Sequence, residues 1–238
     1  MDTVSFCDEI TSFCLANADE STVIKYSKFF KEGYDAYGVP SPIFLAKIEE
    51  LMASGTVGLQ LILESAPQLL RSGKYEETSF VILLTEKFKK QLDIYAFSEI
   101  EKWFGYGITN WAHADVLCGT VLPWFFLKKI VPLEQLNTWR VSAFKFQRRS
   151  VPVAMIKLLK STNELNLLFE MINPMMLDSE RVVHQGLGWF LREAWKRNHE
   201  ETENFLLKWK DHSARLIFQY ATEKMQPEER KKFKKNKF

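Results

Sequence analysis

Two side chains of the segment Thr109-Asn110-Trp111-Ala112-His113-Ala114-Asp115-Val116-Leu117 carry types and spacing suited to chemistry. If the segment is helical, Trp111 and Asp115 lie four residues apart and share a face. A flat π-surface then stands beside a carboxylate. The ring face attracts positive charge, and the acid stabilises it. Each residue alone has a plainer use, since a helical Trp is most often core and a helical Asp is most often a surface group. Two more candidates follow at regular intervals. Arg149 comes 38 residues after Trp111, within Gln147-Arg148-Arg149-Ser150-Val151, and Trp189 comes 40 residues after Arg149, within Leu187-Gly188-Trp189-Phe190-Leu191-Arg192-Glu193. A guanidinium supplies the complementary function of holding an anion such as phosphate. Arg148 competes with Arg149 for that role, and an interhelical ion pair is the structural alternative for either.

Intervals near 40 match the period of two-helix HEAT-type repeats. Residues one repeat apart emerge on the same side of such a stack. The spacing therefore predicts one concave surface carrying Trp111, Asp115, Arg149 and Trp189. The other tryptophans, Trp103, Trp124, Trp139, Trp195 and Trp209, are assigned to packing.

The elements that must position these residues read as helices throughout. Thr3 to Ala16 is amphipathic, with Phe6, Ile10, Phe13 and Cys14 on one stripe. Ser21 can cap a second helix reaching Phe30, and Lys31 to Pro40 is a loop. Ser41-Pro42 is a strong helix start, for a helix to about Ala53. Further helices are expected from Val57 to Glu64, from Ser65-Ala66-Pro67 to Arg71, from Lys74 to Lys90 and from Ala96 to Phe104. Asn110 caps the helix of Trp111 and Asp115, which Pro123 should kink or divide. Pro132 to Val141 is short, and Ser142 to Lys160 is long with a fault at Pro152. Helices from Thr162 to Ile172, from Asp178 or Ser179 to Asn198, from Glu200 to Asp211 and from Ser213 to Met225 complete the set. About a dozen helices with short connections, and no strand-like alternation, give an all-α class: an α-solenoid of HEAT-like two-helix repeats with a concave DNA-binding face. Residues 1–225 are expected to form a single domain, and residues 226–238 a charged, solvated tail.

Composition narrows the functional classes. At 238 residues with 46% apolar content the chain can bury a substantial core, and its net charge of +2 does not by itself announce a nucleic-acid binder. Cys7, Cys14 and Cys118 suit a reducing compartment without disulfides, with Cys7 and Cys14 as buried small apolar groups. His113, His184, His199 and His212 show no metal-ligand spacing, so neither metal nor cofactor is expected. No basic start followed by an apolar run marks a signal peptide, and the longest apolar run, Val116 to Leu127, is too short to span a bilayer. A cytoplasmic protein without membrane association is expected. Gly105-Tyr106-Gly107 and Gly186-Leu187-Gly188 are too short to be phosphate-binding loops.

The chain resembles the AlkD-type DNA alkylation-repair glycosylases, an all-helical HEAT-like family, over roughly Val23 to Lys232. Tyr26-Ser27-Lys28-Phe29-Phe30 followed by Tyr37-Gly38-Val39-Pro40-Ser41-Pro42 resembles the family's opening helix and turn. Ser72-Gly73-Lys74-Tyr75-Glu76-Glu77 resembles the start of its next repeat, and Ala214 to Lys224 resembles its last helix. Trp111 with Asp115, Arg149 in the Arg-Arg helix, and Trp189 in Gly-Trp-x-Leu-Arg-Glu fall where the family keeps its active-site Trp, Asp, Arg and Trp. The chain departs where the family usually places arginine soon after Ser-Pro: here Ile43-Phe44-Leu45 follow. It also has Asn110 and Ala112 on either side of Trp111, where the family often has an aromatic and an acid.

The resemblance implies a monofunctional glycosylase that removes cationic N3- and N7-alkylated purines from duplex DNA without extruding the base. It implies Asp115 as stabiliser of the sugar cation and orienter of water, Trp111 and Trp189 as rings packed against the lesion-bearing sugar, and Arg149 or Arg148 as a phosphate contact. The protein is expected to act as a monomer. Two other readings stand beside it: a noncatalytic DNA-structure binder of the same family, which would need neither Asp115 nor the tryptophans, and a helical protein-interaction scaffold.

Overall fold

A computed structural model of the chain describes residues 1–161 and 165–235. Among the described residues every regular element is a helix, which bears out the all-α reading and the α-solenoid class. The chain divides into two compact units, Met1–Val121 and Leu122–Phe238.

The first unit holds α1 (Thr3–Ala16), α2 (Glu20–Ser27), α3 (Ser41–Ala53), α4 (Leu59–Arg71), α5 (Tyr75–Lys87), α6 (Ile94–Tyr106) and α7 (Trp111–Thr120). Its centre is α5, which buries Phe80, Val81, Ile82 and Leu84 together with Glu76, Glu77, Thr78 and Thr85. A helix buried on so many sides is a core element and not an amphipathic surface one. It packs against α1, α3, α4 and α7.

Burial of two acids at the start of α5 requires partners. Glu76 accepts from three successive main-chain amides: Tyr37 at 2.9 Å, Gly38 at 2.7 Å and Val39 at 3.1 Å. Glu77 accepts from the hydroxyls of Thr11 and Tyr37, at 3.0 and 2.7 Å. The loop before α3 is thereby fastened to the first turn of α5. Its other side meets α2, where Asp19 N–H donates to the Tyr37 carbonyl at 3.0 Å. Gly38 has φ +83°, and a Cβ there would lie 2.1 Å from the Asp19 carbonyl oxygen, so both conformation and space demand glycine.

The second unit holds α8 (Leu122–Leu127), α9 (Leu136–Trp139), α10 (Lys145–Met155), α11 (Leu165–Ile172), α12 (Arg181–Arg197), α13 (His199–Trp209), α14 (Arg215–Ala221) and α15 (Pro227–Lys231). Here α12 is central, with α10, α13 and α14 packed on it. Gly188 permits the closest of these approaches, because a Cβ would stand 2.5 Å from Cβ of Tyr220 and 2.7 Å from the Ile217 carbonyl oxygen.

Several element boundaries differ from the sequence reading, each for a local reason. The second helix stops at Ser27, three residues short of Phe30, because Phe29 and Phe30 turn through tighter bonds to Tyr26 and Ser27. The two helices expected from Val57 to Arg71 are one: α4 runs through Pro67. Proline there removes the donor to the Leu63 carbonyl, an interior cost of about 3 kcal/mol. Burial of Ile62, Leu63, Ala66, Leu69 and Leu70 offsets it. The long helix expected from Ser142 to Lys160 is α10 alone, followed by a turn and a 3-10 segment at Leu158–Lys160. Pro123 divides its helix as expected, with α7 ending at Thr120 and α8 starting at Leu122.

The expected start at Thr162 lies outside the described residues, as do the last three residues of the tail. What is described of the tail is not solvated and free. Gln226 and Glu229 form a reciprocal cap for α15, Phe233 is 1% exposed, and Arg215 donates to the Phe233 carbonyl at 2.7 Å. One aromatic among the basic residues supplies the burial that a purely charged segment lacks.

Candidate functional site

Helix α7 is placed by its cap. Asn110 Oδ1 accepts from His113 N–H at 2.9 Å, which fixes Trp111 as the first helical residue. His113 points inward and is fully buried, stacked on Tyr75 with ring centroids 4.4 Å apart. Its Nε2 lies 3.0 Å from the Tyr75 carbonyl, and a carbonyl only accepts, so Nε2 carries the proton. Nδ1 then accepts from the Asn110 amide at 2.8 Å. Burial pushes the imidazole pKa down to about 3, only partly countered by the Tyr75 bond, so His113 is neutral at physiological pH. This network pins α7 to the first turn of α5.

Trp111 is 39% exposed and held from behind. Its indole Nε1–H donates to the Phe29 carbonyl at 3.3 Å, and its ring stacks on Phe30 with centroids 5.6 Å apart and planes 17° off parallel. Phe30 in turn stacks on Tyr34 at 4.6 Å. Asp115, one turn further along α7, is half-buried. The helix thus brings Trp111 and Asp115 onto adjacent turns of one element, as the spacing requires.

Arg148, Arg149 and Trp189 lie in the second unit. Arg148 forks onto Asp178 through Nε at 2.7 Å and Nη2 at 3.4 Å, and donates to the Ser142 carbonyl at 2.7 Å. Arg149 is 6% exposed, and its Nη1 donates to the Val182 carbonyl at 2.7 Å. Its aliphatic stem packs on α12 at Gly186, where a Cβ would lie 3.2 Å from Arg149 Cγ. Trp189, on the same helix, is half-buried. Trp103 and Trp139 are sealed in the core, and Trp209 donates to the Asn173 side chain at 3.1 Å, in keeping with packing roles.

Sequence reasoning overlooked the surroundings of Trp111. A cavity of about 590 Å³ opens beside it within the first unit, walled by Phe30, Tyr34, Phe44, Tyr75 and Trp111 among others. Leu45 and Phe44, which stand where arginine was expected after Ser41-Pro42, line it. The aromatic content of Tyr26 to Tyr37 was the available signal. Among the described residues no group of three or more His, Cys, Asp or Glu side chains is arranged to hold a metal ion. No described helix is long and apolar enough to cross a membrane.

The fold is similar to the solved structure of a predicted DNA alkylation repair enzyme from Enterococcus faecalis. The two superpose with a TM-score of 0.76 over 89% of this chain and 98% of that one, at 17% sequence identity. No protein of curated function is detectably similar in sequence. The family model described as DNA alkylation repair enzyme matches residues 14–225. The span of that match embraces α7, α10 and α12 with their candidate residues, and the chain belongs to the DNA alkylation repair enzyme family.

Proposed function

We propose that the protein is a monofunctional glycosylase that hydrolyses the N-glycosidic bond of N3- and N7-alkylated purines in duplex DNA, acting as a monomer and without extruding the base. The observation that carries this reading is the half-exposed indole of Trp111 beside Asp115 on one helix, in a chain of this family.

An N-alkylated purine of this kind is already cationic, so it departs as a neutral base and needs no general acid. As the C1′–N bond breaks, positive charge passes to the deoxyribose. Asp115 stabilises that charge and orients the water whose oxygen bonds to C1′, its proton passing to solvent. Trp111 and Trp189 present ring faces to the sugar, each contributing about 0.5–2 kcal/mol. The fixed hydrogen bond of Trp111 to Phe29 means that its ring need not be ordered during the reaction. Arg149, with Arg148 beside it, holds a backbone phosphate and gives position without sequence preference.

Incubation of the protein with methylated duplex DNA, followed by identification of the released bases, tests the proposal. Free 7-methylguanine or 3-methyladenine is expected. Binding of the DNA without release of any base would replace the enzyme with a DNA-structure binder.

A further inference from the structure

The cavity beside Trp111 has a composition that the proposed hydrolysis does not use. Phe30, Tyr34, Tyr75 and Trp111 form a connected set of rings. Phe30 stacks on both Tyr34 and Trp111, and Tyr75 meets Phe30 and Tyr34 at 5.5 and 5.1 Å. Among the described residues around the cavity there is no lysine or arginine. Glu76 is the one carboxylate there, and it is 4% exposed. Its oxygens are occupied by the amides of Tyr37, Gly38 and Val39, so it offers charge and not a vacant acceptor. That charge reaches the walls. Burial raises the Tyr34 and Tyr75 phenol pKa values, and in both the negative charge of Glu76 is the next cause. His113 adds no opposing charge, being neutral at physiological pH.

The outer rings already behave as this predicts. Lys25 Nζ sits 5.2 Å from the Tyr26 centroid, and Lys28 Nζ sits 5.3 Å from that of Phe29. Aromatic faces gathered around a low-dielectric space attract organic cations, and stacked rings favour flat ones. The volume is in the range of small-molecule sites.

We propose that this aromatic cavity is a binding site for a free planar organic cation, a heteroaromatic ring system bearing positive charge. The proposal stands apart from the proposed hydrolysis, because it concerns a ligand taken up without DNA.

Calorimetric titration of the whole protein with N-methylquinolinium, and with a neutral methylquinoline of the same size at a pH where it is unprotonated, tests it. The cation is expected to bind one site at least about tenfold more tightly than the neutral ring. Phe30→Leu is expected to weaken the cation about tenfold while folding is checked by circular dichroism, and Tyr34→Leu serves the same arm if Phe30→Leu does not fold. No saturable binding of the cation, equal binding of the neutral ring, or undiminished binding by a folded variant would each overturn the proposal. Release of bases from DNA is not part of the readout, so failure of the hydrolytic reading leaves this test unaffected.

Discussion

The indole Nε1–H of Trp111 donates to the main-chain carbonyl of Phe29, 82 residues earlier, so the first residue of α7 is tied to the chain leaving α2. The ring is presented by its edge bond and backed by Phe30. Trp111→Phe keeps an aromatic face and loses the donor. It is expected to cost about 0.5–1.5 kcal/mol in urea unfolding and to retain base release. Trp111→Ala is expected to lose most of the release. Equal activity of the two variants would remove the ring face from the mechanism.

Asp115→Asn keeps size and removes charge. Release of 7-methylguanine from alkylated duplex DNA is expected to fall by about a hundredfold or more, with DNA affinity retained. The measurements are single-turnover base release and a binding titration. Undiminished release would take Asp115 out of the chemistry.

His113 makes stability depend on pH. Its folded pKa, about 3, lies below the value of 6.5 for an unperturbed histidine. Between those values the unfolded chain binds the extra proton and the folded chain does not. The contribution is therefore intact above about pH 6.5 and declines as pH falls toward 3, by at most about 1.4 kcal/mol per unit. Urea unfolding from pH 7 to pH 4 is expected to show this slope, and His113→Gln to flatten it. An identical slope in the variant would assign the acid sensitivity to other groups.

Arg149→Ala separates two uses of one buried guanidinium. Loss of the bond to the Val182 carbonyl should lower stability by about 1.5–3 kcal/mol. If Arg149 also meets a phosphate, the slope of log affinity for duplex DNA against log salt becomes shallower by about one. An altered melting temperature with an unchanged salt slope would make Arg149 a structural residue of the α10 and α12 contact.

The legible parts of the sequence were those decided by local chemistry. Asn110 announced a helix start because its side chain satisfies amides three residues on, and Pro123 announced a division because it cannot donate. Pro67 misled by the same rule: the apolar residues around it in α4 outweigh one missing bond, and that balance is tertiary. His113 gave no sign of burial, since its partners Tyr75 and Ser79 lie more than thirty residues away. The rings of Phe30, Tyr34, Tyr75 and Trp111 are likewise scattered along the chain, and only folding gathers them. Phe233 was hidden by the charges flanking it.

The three amides that end on Glu76 give the loop before α3 an unusual status. In a solvent-exchange experiment, protons on Tyr37, Gly38 and Val39 would leave on the clock of the central helix and not of a surface connection. A stretch without regular structure would then register among the slowest parts of its unit, because opening it means first uncovering an acid that has no other donors in reach of its main-chain cradle.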